Sequence, residues 1–139
     1  MVKAGKTNKK YTGINVLVIE NDLDVLKLIM LRLKKFGCNV FSRKSGKQFL
    51  VEEFLHYQII LVSVLPDRAG IEFLINVKQA MIKCGFSKKQ KFIAYTACGK
   101  KIISECIESG FDAVLEVPAS LKDYEDLFEK FCIINKQNV

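Results

Sequence analysis

Ile14-Asn15-Val16-Leu17-Val18-Ile19-Glu20-Asn21-Asp22 is the stretch on which the fold turns. Its first six residues are aliphatic, mostly β-branched, at every position but one. That pattern suits a strand covered on both faces rather than one half-exposed to water. Polarity sets in abruptly at Glu20. A helical period then runs over Asp22–Phe36, with Leu26, Ile29, Met30 and Leu33 as its core stripe. Gly37 follows, a good residue for the position just past a helix end. An apolar strand, an acidic turn and a helix make the opening unit of a parallel α/β sheet.

The unit recurs down the chain. Further strands are expected at Asn39–Phe41, at Ile59–Leu65 before Pro66, at Phe92–Tyr95 and at Phe111–Leu115. Helices are expected at Ser45–Leu55, at Gly70–Cys84 ending on Gly85, and at Lys100–Ser109 closed by Gly110. Phe86–Lys91 reads as a basic loop. Ser120 caps a last helix, with Asp123 three residues on as an acidic variant of the capping box. Its stripe of Leu121, Tyr124, Leu127, Phe128 and Phe131 should face the core. Five strands alternating with five helices define an α/β, flavodoxin-like, doubly wound parallel sheet of strand order 2-1-3-4-5. The expected organisation is a flexible basic N-terminal tail over 1–13, one domain over 14–134 and a short C-terminal tail over 135–139.

The chain has 139 residues, enough for a single core. Its formal charge of +7 is concentrated in two zones. One is Lys3, Lys6, Lys9 and Lys10; the other is Lys83, Lys88, Lys89 and Lys91, with Lys100 and Lys101 beyond. Such charge speeds encounters with acidic surfaces. Without an Arg-aromatic pattern or a helix-turn-helix signal, a solvated lysine face is the preferred reading over a nucleic-acid site. The cysteines (Cys38, Cys84, Cys98, Cys106, Cys132) form no Cys-x-x-Cys pair, and His56 is the only histidine. This argues against zinc and for reduced thiols acting mostly as small core hydrophobes. No run reaches membrane length and no secretory signal is apparent, so a cytoplasmic protein without membrane contact is expected.

In such a sheet ligands bind at the carboxyl ends of the strands, and four motifs there carry a resemblance. They are Glu20-Asn21-Asp22 after the first strand and Leu65-Pro66 with Gly70 after the third. Ile93-Ala94-Tyr95-Thr96-Ala97 stands at the fourth, and Gly110 through Val114 to Val117-Pro118 at the fifth. In order and spacing, over about residues 14 to 134, they resemble the receiver domain of two-component response regulators. The resemblance implies a reaction. An Asp at the end of the third strand takes a phosphoryl group from a histidine kinase or a small phosphodonor. An acidic pair and that Asp hold Mg²⁺, a hard cation that takes oxygen ligands. A Lys near the fifth strand pairs with the phosphoryl group, a Thr or Ser on the fourth hydrogen-bonds to it, and an aromatic residue on the fifth turns inward as the switch.

Carried over by position, most of that apparatus is missing. Counting back four from Pro66 puts the acceptor at Val62; counting forward from Tyr57 puts it at Ser63. The acidic pair is Glu20-Asn21, the Lys position is Val117 and the switch aromatic falls at Val114. Only Glu20 and Thr96 match the family pattern. The expectation is a degenerate pseudo-receiver: no enzyme, no metal, no cofactor, but a phosphorylation-independent interaction module of a phosphorelay. Its partner would be a histidine kinase, a phosphotransfer protein or another signalling component, with a homodimer as a further option. Leu28 and Leu31 on the first helix, or Lys100 and Lys101 near the fourth strand, would supply the surface. The alternative is a phosphoaccepting receiver with a displaced acid, Asp67, and with Glu20 and Asp22 as metal ligands. A carboxylate at Asp22 already has a structural use at a helix N-terminus. A nucleotide- or flavin-binding domain is opposed by a first loop without a Gly- or Ser/Thr-rich phosphate cradle.

Overall fold

Each of the five apolar runs forms a strand in the computed structural model, which describes residues 10–64, 68–86, 90–97 and 99–137. The strands are β1 (Asn15–Ile19), β2 (Asn39–Arg43), β3 (Ile59–Ser63), β4 (Lys91–Thr96) and β5 (Ala113–Glu116). Every neighbouring pair is parallel and the order is β2-β1-β3-β4-β5, the doubly wound arrangement expected. Four α-helices accompany them: α1 (Leu23–Lys35), α2 (Ala69–Cys84), α3 (Lys100–Ser109) and α4 (Leu121–Gln137). The Val117–Pro118 peptide after β5 is cis.

Side chains alternate along the strands between two apolar layers. Val18, Leu61, Ile93 and Tyr95 join Ile29 and Leu33 of α1 and Tyr124 and Phe128 of α4. Ile19, Ile60, Val62 and Phe92 join Phe73, Leu74 and Val77 of α2 and Cys106 of α3 on the other side. Both faces of β1, β3 and β4 are therefore covered, which is why those strands read as nearly unbroken apolar runs.

The expected helix over Ser45–Leu55 is absent as an α-helix; a short 3-10 helix over Val51–His56 stands in its place. Local chemistry explains the difference. The Ser45 hydroxyl accepts from the Lys47 N–H at 3.1 Å, a turn that competes with helix. Gly46 lies so close to the Phe73 ring that a Cβ there would collide with it. The turn starts at Leu50, whose N–H is taken by Glu53 Oε1 at 2.8 Å. Phe73 then meets Phe49 and Phe54 edge-on, and Phe49 and Phe54 meet at a tilt, to fill the layer.

Four smaller corrections follow. Tyr11, placed in the tail, is buried against Phe36 and Phe128, and its N–H reaches the Phe36 carbonyl at 3.0 Å. An aromatic ring beside an uncovered end of the core docks there whatever its charged neighbours do. At the other end α4 runs on to Gln137, past the expected boundary at 134. Leu121, expected in the core, is 37 % exposed because it opens the first turn of α4, at the rim of the layer. Cys38 and Cys106 are buried as small hydrophobes, but Cys84, in the last turn of α2, is exposed. Cys98, Cys132, Lys3, Lys6, Lys9, Lys88, Lys89, Leu65 and Pro66 lie outside the residues whose side chains are described. Among the described residues no helix is long and apolar enough to cross a membrane.

Candidate functional site

The carboxyl ends of β1, β3 and β4 meet at one edge of the sheet. Register pairs Ile19 with Val62 and Val62 with Ala94, so one step further on Glu20, Ser63 and Tyr95 stand level in a row. In-register residues of neighbouring parallel strands share a face, and this row faces the α1 and α4 layer. The Tyr95 ring belongs to that layer and is 3 % exposed.

Glu20 is a carboxylate buried to 6 % exposure, and it is fully engaged. Its Oε2 accepts the Asp22 N–H at 2.8 Å, closing the turn into α1. Its Oε1 accepts the Tyr95 hydroxyl. The Ser63 hydroxyl interacts with the same phenol from the next strand. Burial first, and then the hydrogen bond to Glu20, drive the Tyr95 phenol far above its ordinary value, so it stays a donor.

The acceptor positions divide between the two faces. Val62, 1 % exposed, points into the α2 layer, where it packs beside Gly70 at the start of α2. Ser63 is half-buried on the Glu20 side. Neither offers a carboxylate. Asn21 is exposed at the tip of the turn. Asp22 is the N-cap of α1, with Oδ1 accepting from Asp24 N–H at 2.9 Å and Val25 N–H at 3.2 Å. Asp67 lies outside the described residues. Thr96 is buried at the end of β4, and its carbonyl takes the Val117 N–H at 3.1 Å. Val117 packs against the α1–α4 core and Val114 against the α2–α3 core, each half-buried.

A divalent cation of the kind the fold suggests finds a poor donor set here. Both oxygens of Glu20 carry protein hydrogen bonds, Asp22 Oδ1 is held in the helix cap, and β3 ends in an aliphatic residue and a hydroxyl. Among the described residues no group of three His, Cys, Asp or Glu side chains is placed to hold a metal.

The candidate contact residues are where helical geometry puts them. Leu28 and Leu31 are 45 % and 58 % exposed on the outer face of α1, beside exposed Lys27, Lys34 and Lys35. Lys100 and Lys101 are exposed in the first turn of α3, near the same edge of the sheet. Arg68, in a left-handed conformation before α2, pairs with Glu105 of α3 at 3.2 Å. Tyr95 is the site residue that sequence reading missed. The signal was available: Tyr95 is two residues from Ile93, hence in the same layer, and a buried Glu20 needs a donor there.

Fold and edge together give the flavodoxin-like, doubly wound arrangement with its candidate site at the carboxyl ends of β1, β3 and β4. No protein-family model matches the sequence, and no curated protein does either. Solved structures do. The chain superposes on the co-crystal structure of the Saccharomyces cerevisiae histidine phosphotransfer signaling protein Ypd1 and the receiver domain of its downstream response regulator Ssk1, with TM-score 0.71 and 21% identity over 85% of this chain and 88% of that one. A two-component response regulator from Clostridium difficile matches with TM-score 0.71 and 16% identity, covering 91% and 99% of the two chains. The receiver domain of the Francisella response regulator 1452 matches with TM-score 0.67 and 20% identity, covering 91% and 100%. At such identities the likeness establishes the fold, which is that of the response-regulator receiver.

Proposed function

We propose that this domain is a pseudo-receiver: not an enzyme, but a protein-interaction module of a two-component phosphorelay whose binding does not depend on phosphorylation. The observation that carries the reading is the end of β3, where buried Val62 and the hydroxyl of Ser63 occupy both candidate acceptor positions. An acyl phosphate needs a carboxylate, and a hard cation beside it needs free oxygen ligands. The committed hydrogen bonds of Glu20 and Asp22 support the same conclusion. They also weigh against the displaced-acid alternative, which needs both as metal ligands beside Asp67.

The remaining asset is surface. One structural neighbour is a receiver seen with a histidine phosphotransfer protein, and a partner of that kind suits the apolar, lysine-flanked face of α1. Acetyl phosphate with Mg²⁺, read by Phos-tag mobility, tests the chemistry. The expected result is no shifted band at any donor concentration. A shifted band that hydroxylamine removes would overturn the reading, because that lability marks an acyl phosphate.

A further inference from the structure

We propose that the Tyr95 hydroxyl is a built-in substitute for the cation at the carboxyl edge, tying β1, β3 and β4 together and holding the turn into α1 closed without any ligand. Three features of the geometry place it in that role. Glu20, Ser63 and Tyr95 form one row across three adjacent strands, so a single phenol reaches both neighbours. Glu20 takes the phenol on one oxygen and the Asp22 N–H on the other, so the tie continues into the residue that caps α1. Asp22 in turn holds the N–H groups of Asp24 and Val25, the first turn of the helix that presents Leu28 and Leu31.

A cation can leave; a side chain on a buried strand does not. The edge thus has one setting where a liganded edge would have two. A ligand shifts a conformational equilibrium only by binding its states unequally, and here both oxygens of Glu20 are already held from within. This goes beyond the interaction reading and does not depend on it, because its tests read stability and exchange, not partner binding or phosphoryl transfer.

Tyr95→Phe keeps the ring and deletes the tie. It should lower Tm by roughly 5–10 °C, as expected for losing a buried hydrogen bond to a charged group in a domain this size. Amide exchange should rise about tenfold or more at Asp22, Asp24 and Val25, with no matching rise at the β4–β5 ladder. Glu20→Gln should loosen the same amides. The double variant Tyr95→Phe/Glu20→Gln should cost clearly less than the two singles added together. An unchanged Tm, a uniform rise in exchange, or additive losses would each overturn the proposal. Should Tyr95→Phe not fold, the unmodified protein decides. A Tyr95 hydroxyl proton that exchanges slowly enough to be seen by NMR sustains the tie, and one that exchanges as fast as an exposed phenol removes it.

Discussion

Val62 is a natural place to ask how far one residue sets the chemistry of the edge. Its side chain is 1 % exposed in the α2 layer, so an Asp there would be buried among Ile19, Ala94 and Gly70 rather than presented to solvent. Val62→Asp should lower stability by about 2–4 kcal/mol, because a carboxylate would replace an apolar group without a donor to meet it. It should still fail to label with acetyl phosphate, since Asn21 and Val117 supply neither metal ligand nor counter-charge. Urea melts and Phos-tag gels check the two halves separately, and robust Mg²⁺-dependent labelling would show that the other losses are overrated here. A second residue makes stability depend on alkali. Burial pushes the Tyr124 phenol up to about 12, against Arg32, which pulls it down, and with Asp123, which adds to the rise. The fold therefore keeps its proton above pH 10, where an unfolded tyrosine loses it. That stability is complete below pH 10 and is lost as the pH climbs towards 12. Urea midpoints measured between pH 9 and 12 should fall over that window, less steeply in Tyr124→Phe. Residue-level function was only partly legible in sequence. Absences at Val62, Val114 and Val117 show in the letters, whereas the Tyr95–Glu20 contact is a register effect joining residues from two distant strands.

Elements were most legible where periodicity and punctuation agree. Lys100–Ser109 is helical over the span its pattern indicates, and the Ser120 cap is reciprocal, with Asp123 N–H to Ser120 Oγ at 3.1 Å and Ser120 N–H to Asp123 Oδ2 at 2.9 Å. They were least legible where a tertiary contact decides, as at Gly46 beneath the Phe73 ring. Gly70 is a similar close approach. A Cβ there would strike the Ser63 carbonyl oxygen and come within 3.0 Å of Val62 Cγ1 and Val64 Cα. Gly70→Ala should cost about 1–3 kcal/mol by overpacking the start of α2 against the end of β3, measured by chemical denaturation. The two candidate contact elements respond differently. Leu28→Asp and Leu31→Asp change exposed positions, so stability should stay within about 0.5 kcal/mol; binding should collapse if α1 is the contact. Lys100→Glu and Lys101→Glu place acids at the N-terminus of α3, where each should add about 0.3–1 kcal/mol of stability. If that face is the contact, the same pair should slow association and flatten its salt dependence despite the more stable fold.

At the scale of the whole molecule the question is whether the domain has one state or two. A receiver that switches must couple events at the carboxyl edge to a distant surface. The residue that the resemblance puts at the lever position is Val114, small and stiff at χ1, packed half-buried against the α2–α3 core. The edge holds Glu20 between two protein donors, and with Asn21 and Val62 beside it the repulsion that crowded carboxylates suffer without metal does not arise. Mg²⁺ at a few millimolar should therefore leave Tm almost unchanged, because a ligand far below its dissociation constant stabilises by a small fraction of RT. Beryllofluoride, a phosphoryl mimic, should add nothing. The same insensitivity should extend to function: a partner's affinity, measured by calorimetry with and without acetyl phosphate and Mg²⁺, should agree within experimental scatter. A tenfold rise would amount to about 1.4 kcal/mol of coupling between edge and surface. Coupling of that size requires a second state with a different affinity for the phosphodonor, and the single-state pseudo-receiver would then have to be abandoned.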